Sequence, residues 1–161
     1  MLYILFGLPA AGKDYVAALL KQSYGFFHYN ADIDLTPEML EYIKNQKIFS
    51  QSMRDKYFEM IINKISDYTH KFKNVVVSQG LAKEINRHQL KLAFPQATFI
   101  LINTDDEIRN KRLRERNDWI TVDYAQRIKN EFEKPCIPHY IIENKHDNLY
   151  VLQQLAEILP K

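Results

Sequence analysis

Leu2-Tyr3-Ile4-Leu5-Phe6 runs without a break into Gly7-Leu8-Pro9-Ala10-Ala11-Gly12-Lys13-Asp14. Five apolar residues in a row, with no alternation, read as a short strand covered on both faces. Gly7 to Lys13 then spell G-x-x-x-x-G-K, and a helical pattern follows from Lys13 to Ser23 with Val16, Leu19 and Leu20 on one face. After a strand and before a helix, this spacing describes a phosphate-binding loop. Glycines let the backbone curl so that successive N–H groups converge on phosphate oxygens. The helix N-terminus adds a positive dipole end, and Lys13 adds a point charge. The loop candidates are therefore Gly7, Pro9, Ala10, Ala11, Gly12, Lys13, Asp14 and Tyr15.

The residue after the lysine departs from the usual Ser or Thr, whose hydroxyl would meet Mg²⁺. Here it is Asp14. One reading makes Asp14 the metal ligand, since carboxylates suit hard cations and would repel phosphates without one between. The other makes this a drifted site that binds nucleotide without turnover.

Beyond the loop, short apolar runs alternate with longer helical patterns. Strands are expected at Phe26–Tyr29, Val75–Val77, Thr98–Ile102 and Tyr140–Ile142. Thr36-Pro37-Glu38 has the cap, first-turn proline and acid of a helix start. Phe58, Ile61, Ile62, Ile65 and Phe72 mark the longest helix, within Ser50–Phe72. Further helices are expected at 83–94, 105–116 and 121–132, with a closing helix striped by Leu149, Leu152, Leu155 and Leu159. Strands alternating with helices predict an α/β fold on a parallel sheet, with ligands at the carboxyl ends of the strands.

At 161 residues the chain has room for one domain, and no linker or repeat interrupts it. A single cysteine, Cys136, excludes an internal disulfide or Cys-based zinc site. Lys plus Arg number 22 against 20 acids, a net +2, which argues against a protein built around nucleic acid. The first ten residues lack the basic lead-in of a signal peptide, and no apolar run is long enough for a membrane span. A cytoplasmic protein without membrane association is the expectation.

Several further segments resemble the small P-loop kinases: gluconokinase, shikimate kinase, dephospho-CoA kinase and the nucleoside monophosphate kinases. The likeness covers nearly the whole length. The Gly12-Lys13-Asp14 start is similar to that of phosphomevalonate kinases and phage deoxynucleotide kinases. Asn30-Ala31-Asp32 resembles the D-G-D of gluconokinases, whose first Asp serves the Mg²⁺ shell and whose second faces the acceptor hydroxyl. Here the first is Asn30, which implies that one carboxylate moved to Asp14. Asp32 keeps the acceptor, with Asp34 as a second candidate.

Gln51-Ser-Met-Arg54-Asp55 resembles a gluconokinase segment whose arginine meets the acceptor. Val77-Ser78-Gln79-Gly80-Leu-Ala-Lys83 through Arg87 resembles another, which puts Gly80, Lys83 and Arg87 at the acceptor. No Asp ends the third strand, so the standard Walker B acid is missing. Arg112 and Arg116, with Arg127, match the lid arginines of dephospho-CoA kinases. Tyr140-Ile-Ile-Glu-Asn144 is similar to their closing strand and adenine-facing loop.

The resemblance implies a three-layer fold with a five-stranded sheet in the order 2-3-1-4-5. It implies an acceptor-binding helical region at 34–72, a lid at 112–127, and γ-phosphoryl transfer from Mg·ATP. Lys13, Asp32, Arg112 and Arg116 become the candidate catalytic set. A small anionic acceptor such as a sugar acid is favoured. A nucleotide or dephospho-CoA kinase and a non-catalytic nucleotide-binding module remain as alternatives, the last resting on Asp14 and Asn30. A monomer or homodimer is expected.

Overall fold

The computed structural model describes residues 1–160. Its elements follow the order β1 Leu2–Phe6, α1 Lys13–Tyr24, β2 Phe27–Asn30, a 3₁₀ turn Ala31–Asp34, α2 Pro37–Lys44 and α3 Gln51–Lys71. Then come β3 Val75–Gln79, α4 Glu84–Ala93, β4 Thr98–Asn103, α5 Asp106–Arg116, α6 Val122–Glu131, β5 Tyr140–Glu143 and α7 Asn148–Ile158. The five strands form one parallel sheet in the order β2-β3-β1-β4-β5.

β1 is the central strand, and its unbroken apolar run has a direct cause. Leu2, Ile4 and Phe6 join the cluster on one side of the sheet, with Phe58, Ile61 and Ile65 of α3. Tyr3 and Leu5 join the other cluster, with Val16 and Leu20 of α1 and Val151 and Leu155 of α7. Successive side chains of a strand point to opposite faces. A strand sandwiched between helices therefore needs an apolar residue at every position.

The helix ends obey local chemistry. Thr36 accepts from the Met39 amide at 3.2 Å, ahead of Pro37. Ser50 does the same for Met53 at the start of α3. The Ala31–Asp34 turn carries no periodic signal in the sequence. Asn30 builds it, its Oδ1 accepting from the Asp32 amide at 2.9 Å. β3 extends two residues beyond the valines, because the ladder pairs Leu5 with Ser78 and Phe6 with Gln79. That register sets Gly7 beside Gly80, its amide 3.4 Å from the Gly80 carbonyl.

The carboxyl ends of all five strands thus meet at one edge of the sheet. Among the described residues no helix is long and apolar enough to cross a membrane.

Leu5→Ala is expected to cost about 3 kcal/mol, because Leu5 is wholly buried in a cluster pinned by three elements. Thr36→Ala is expected to cost about 1 kcal/mol, the usual loss for a cap. Urea denaturation checks both: the midpoint should fall in that order with an unchanged slope.

Candidate active site

The loop after β1 is held by its carbonyls. Ala11 O accepts from Asn144 Nδ2 and from Thr104 Oγ1, each at 2.8 Å. Pro9 O accepts from Arg109 Nη1 at 3.2 Å, and Ala10 O from Arg112 Nη1 at 3.0 Å. A trans peptide points its C=O and N–H in opposite directions. Carbonyls drawn toward β4, β5 and α5 therefore turn the amides of Ala10 and Gly12 the other way. The α1 N-terminus carries no side-chain cap, which leaves its first-turn donors for an anion.

The two glycines are demanded by this packing. Gly7 has φ +151°, and a Cβ there would lie 2.6 Å from the Ile102 carbonyl oxygen. Gly12 has φ +95°, and a Cβ there would lie 2.1 Å from Asn144 Nδ2. Close approach excludes a side chain at both, and the left-handed backbone at Gly12 adds a second reason.

Lys13 Nζ donates to the carbonyls of Gly7 and Leu8, both at 3.1 Å. Burial pushes its pKa below the usual lysine value. The carboxylates of Asp32 and Asp14 oppose that shift, and Arg116 and Arg109 reinforce it. Asp32 opens to solvent at the floor of the cleft but is packed round by protein. Burial raises its pKa, Lys13 pulls it down, and Asp14 pushes it further up. Two acids and one lysine thus converge where the loop ends.

Asp14 is anchored from three sides. Ser78 Oγ donates to Oδ1 at 2.5 Å, Asn30 Nδ2 donates to Oδ2 at 3.2 Å, and His28 Nε2 lies 3.6 Å from Oδ1. His28 Nε2 also meets Ser78 Oγ at 2.8 Å. Burial lowers the His28 pKa, with Asp14 opposing. Asn30 and Asp14, linked in the sequence only through the kinase resemblance, are in contact.

A cavity of about 270 Å³ runs from this loop toward α2, α3 and α6. Gly7, Pro9, Ala10, Gly12, Lys13, Asp14 and Tyr15 line its near end, and Asp32, Arg54, Gly80 and Arg116 lie along it. Tyr15 also bonds its hydroxyl to Asn148 Oδ1. Ala11 is buried beneath the loop and lines nothing. Arg54 is half-buried, and burial lowers its pKa against the pull of Glu131 and Glu133.

Besides Ala11, six expected site residues are not among those that line the cavity. Arg87 is wholly buried and fully committed: Nε donates to Leu81 O at 3.0 Å, Nη1 to Glu84 Oε2 at 2.6 Å, and Nη2 to Ala82 O and Glu133 O at 3.1 and 2.9 Å. Its guanidinium also sits against the rings of Phe6 and Phe132. It welds the β3–α4 connection to the chain after α6 and does not reach the cavity. Lys83 pairs with Glu131 and Glu133 at 2.9 and 3.5 Å and is likewise outside the lining.

Asp34 accepts from Tyr29 Oη at 2.6 Å and from Lys64. Burial works against its ionisation, but these bonds outweigh it and hold its pKa below the usual carboxylate range. Arg127 is not part of the cavity lining and donates to Gln46 O at 2.6 Å. Asn144 is a buried clamp under the loop rather than a surface for a base. Of the arginine pair on α5, Arg116 reaches the cavity, whereas Arg112 spends one Nη on the loop backbone.

Ser78, Gln79, Tyr57 and Thr104 were not singled out from sequence. Gln79 donates to Tyr57 Oη at 2.6 Å, and Tyr57 donates to Ala31 O at 2.6 Å, which ties the end of β3 to the Asp32 turn. For Ser78, Gln79 and Thr104 the available signal was positional: polar residues at the carboxyl end of an otherwise apolar strand.

The AAA-domain family profile matches residues 4–134. No curated protein matches the chain. Among solved structures, a sugar kinase from a Janibacter species superposes with a TM-score of 0.85 at 14% identity, over 98% of this chain and 93% of its own. A gluconokinase from Sinorhizobium meliloti gives 0.81 at 16% identity, over 97% and 91%. A deoxyadenosine kinase from M. mycoides, solved with bound dATP, gives 0.66 at 12% identity, over 98% and 99%. The fold is that of the small P-loop kinases.

Arg87→Ala is expected to destabilise the protein by about 3 to 5 kcal/mol, the range for breaking a buried ion pair on one side. A thermal or urea melt of the purified variant measures this. A stable variant would return Arg87 to the list of ligand contacts.

Proposed function

The chain belongs to the AAA-domain family, and on that premise we propose that it is an ATP-dependent phosphotransferase, moving the γ-phosphate of Mg·ATP to a small-molecule acceptor. The observation that carries the reading is the convergence of Lys13, Asp14 and Asp32 at a loop that lines one cavity. Lys13 exchanges the Gly7 and Leu8 carbonyls for the β- and γ-phosphates, and the loop amides hold the remaining oxygens. Asp32 orients the acceptor hydroxyl. Arg116 neutralises charge as it develops on the transferred group, with Arg112 bracing the loop beneath it. The protein's task is positioning and charge neutralisation, with little covalent chemistry of its own.

The donor set suits magnesium. Among the described residues no cluster of three or more His, Cys, Asp or Glu side chains forms a cage. One or two carboxylates beside nucleotide phosphates is how Mg²⁺ is commonly held. Asp14 is the proposed ligand, held from behind by Ser78 and Asn30. The cation, when bound there, supplies charge neutralisation between the phosphates. This contact between Asn30 and Asp14 supports a relocated carboxylate over a drifted site.

Segment 34–72 is the proposed acceptor side and segment 112–127 the lid. A sugar-acid acceptor drew support from four groups, Asp32, Arg54, Lys83 and Arg87. Two of them are spent elsewhere, so anion recognition falls to Arg54. The likeness to a gluconokinase, at its low identity, speaks for the fold. An acceptor that is itself a nucleotide is the second reading, favoured by the apolar far walls of the cavity.

Lys13→Ala should lower ATP turnover on the order of 10³-fold with an unchanged melting temperature, since no neighbouring cation can take its place. Unchanged turnover would sink the phosphotransferase reading. Arg54→Ala should raise the acceptor KM far more than the ATP KM, and equal effects would move Arg54 out of the acceptor site.

Asp14→Ser should weaken Mg²⁺ dependence and slow turnover although it restores the commoner motif. Adding Asn30→Asp should recover part of that loss, because the two positions touch and would share one cation. A double-mutant cycle on kcat/KM at limiting and saturating Mg²⁺ measures the coupling, and strict additivity would separate the two residues.

A further inference from the structure

Beyond Asp32 the cavity changes character. Met39 and Phe49 form one wall, Tyr57 and Phe58 of α3 a second, and Ile128 and Phe132, on and just after α6, a third. The tyrosines add rings but no free hydroxyls. Tyr57 Oη is used by Ala31 O and Gln79, and Tyr124 Oη, on the α6 side, donates to Lys47 O at 2.7 Å. Glu131 is taken by Lys83 at 2.9 Å. Arg54 is a lining guanidinium on this side for which, as for Arg116 nearer the loop, no ion pair or side-chain hydrogen bond occurs among the described residues.

The α2–α3 connection is also tied to Trp119 and α6. Lys44 Nζ lies 4.7 Å from the Trp119 ring centroid, and Arg127 and Tyr124 bond the carbonyls of Gln46 and Lys47.

We infer that the acceptor is a ring-bearing molecule with an apolar body seated in this chamber, one anionic or carbonyl group on the Arg54 fork, and the phosphorylated group at Asp32. The inference rests on the phosphotransferase reading and names the substrate class of that same site. A polyhydroxylated acid would bring a hydroxyl on nearly every carbon into a chamber whose walls are mainly apolar and whose tyrosine hydroxyls are already paired. Each hydroxyl buried without a partner costs free energy. A flat ring instead gains from burial and from edge and face contacts with Phe49, Phe58 and Phe132. A single arginine fork suits a carboxylate, a phosphate or a ring carbonyl.

The same chemistry is offered by a simple aromatic acid and by a nucleotide base, so the test includes both. Binding of gluconate, 4-hydroxyphenylacetate and CMP is measured by titration calorimetry on the full chain, with a non-hydrolysable ATP analogue saturating the loop. At least one ring-bearing probe should bind tenfold or more tightly than gluconate, the lower end of what burying a ring contributes. Which of the two wins identifies the source of the ring. Ile128→Asn and Phe49→Asn, on opposite walls, should each remove most of that preference, and unchanged affinity for the ATP analogue certifies that each variant is folded.

A preference below tenfold overturns the inference, including the case in which none of the three probes binds. So does a preference that survives both wall variants, since the ring would then sit elsewhere. Failure of the wild-type chain to bind the ATP analogue would instead sink the phosphotransferase reading itself.

Discussion

The carbonyl of Ala11 is the point on which the site depends. Asn144 from the end of β5 and Thr104 from the end of β4 both donate to it, each at 2.8 Å. With Arg109 and Arg112 on the neighbouring carbonyls, they turn the outer side of the loop into a fully bonded surface. Peptide planarity then does the rest, because a carbonyl held outward is an amide held inward. The lack of a Cβ at Gly12 lets Asn144 come this close, and the parallel ladder brings β4 and β5 to the same edge as β1. An anion-binding loop is thus a consequence of sheet order as much as of its own glycines.

On the opposite side of the loop, charge is arranged economically. Lys13, Asp14 and Asp32 sit within one another's fields, and burial moves the Lys13 pKa down and the Asp32 pKa up. Asp14 would be a repulsive neighbour for phosphate if it stood alone. Ser78, Asn30 and His28 fix its direction, so the carboxylate is held in one place rather than free to swing. This is how a site with an acid in place of the usual hydroxyl can stay ordered. Farther along, the cavity exchanges charge for aromatic surface, and that change of character divides the part that handles phosphate from the part that would recognise an acceptor.

Much of the fold was legible because each element carried a local cause. The unbroken apolar runs of β1 and β3, the Thr36 and Ser50 caps, and the stripe of α3 all state their structure within a few residues. The loop was legible for the same reason, its chemistry being contained in eight consecutive positions. The 3₁₀ turn was not, because it depends on one Asn30 side chain rather than on a period. The burial of Arg87 was not legible, because a basic residue near a helix start looks alike in sequence whether solvated or buried. Only the meeting of Leu81, Ala82 and Glu133 carbonyls with Glu84 makes it a core residue. Asn144 was correctly placed after the last strand, yet its partner lies 133 residues away.

By itself the sequence determined the α/β class, the strand and helix order, and a phosphate-binding loop with Asp14 in an unusual place. These follow from contacts between near neighbours: alternation, caps, glycine geometry and the start of one helix. The tertiary structure alone decided which cations are free. Lys83, Arg87, Arg112 and Arg127 all find partners distant in sequence or already built into the backbone, and Arg54 does not. It also decided that the far walls of the cavity are aromatic, since Phe49, Phe58 and Phe132 come from three separate segments. A side chain's availability depends on what the fold brings within reach of it, and no local pattern of residues carries that information.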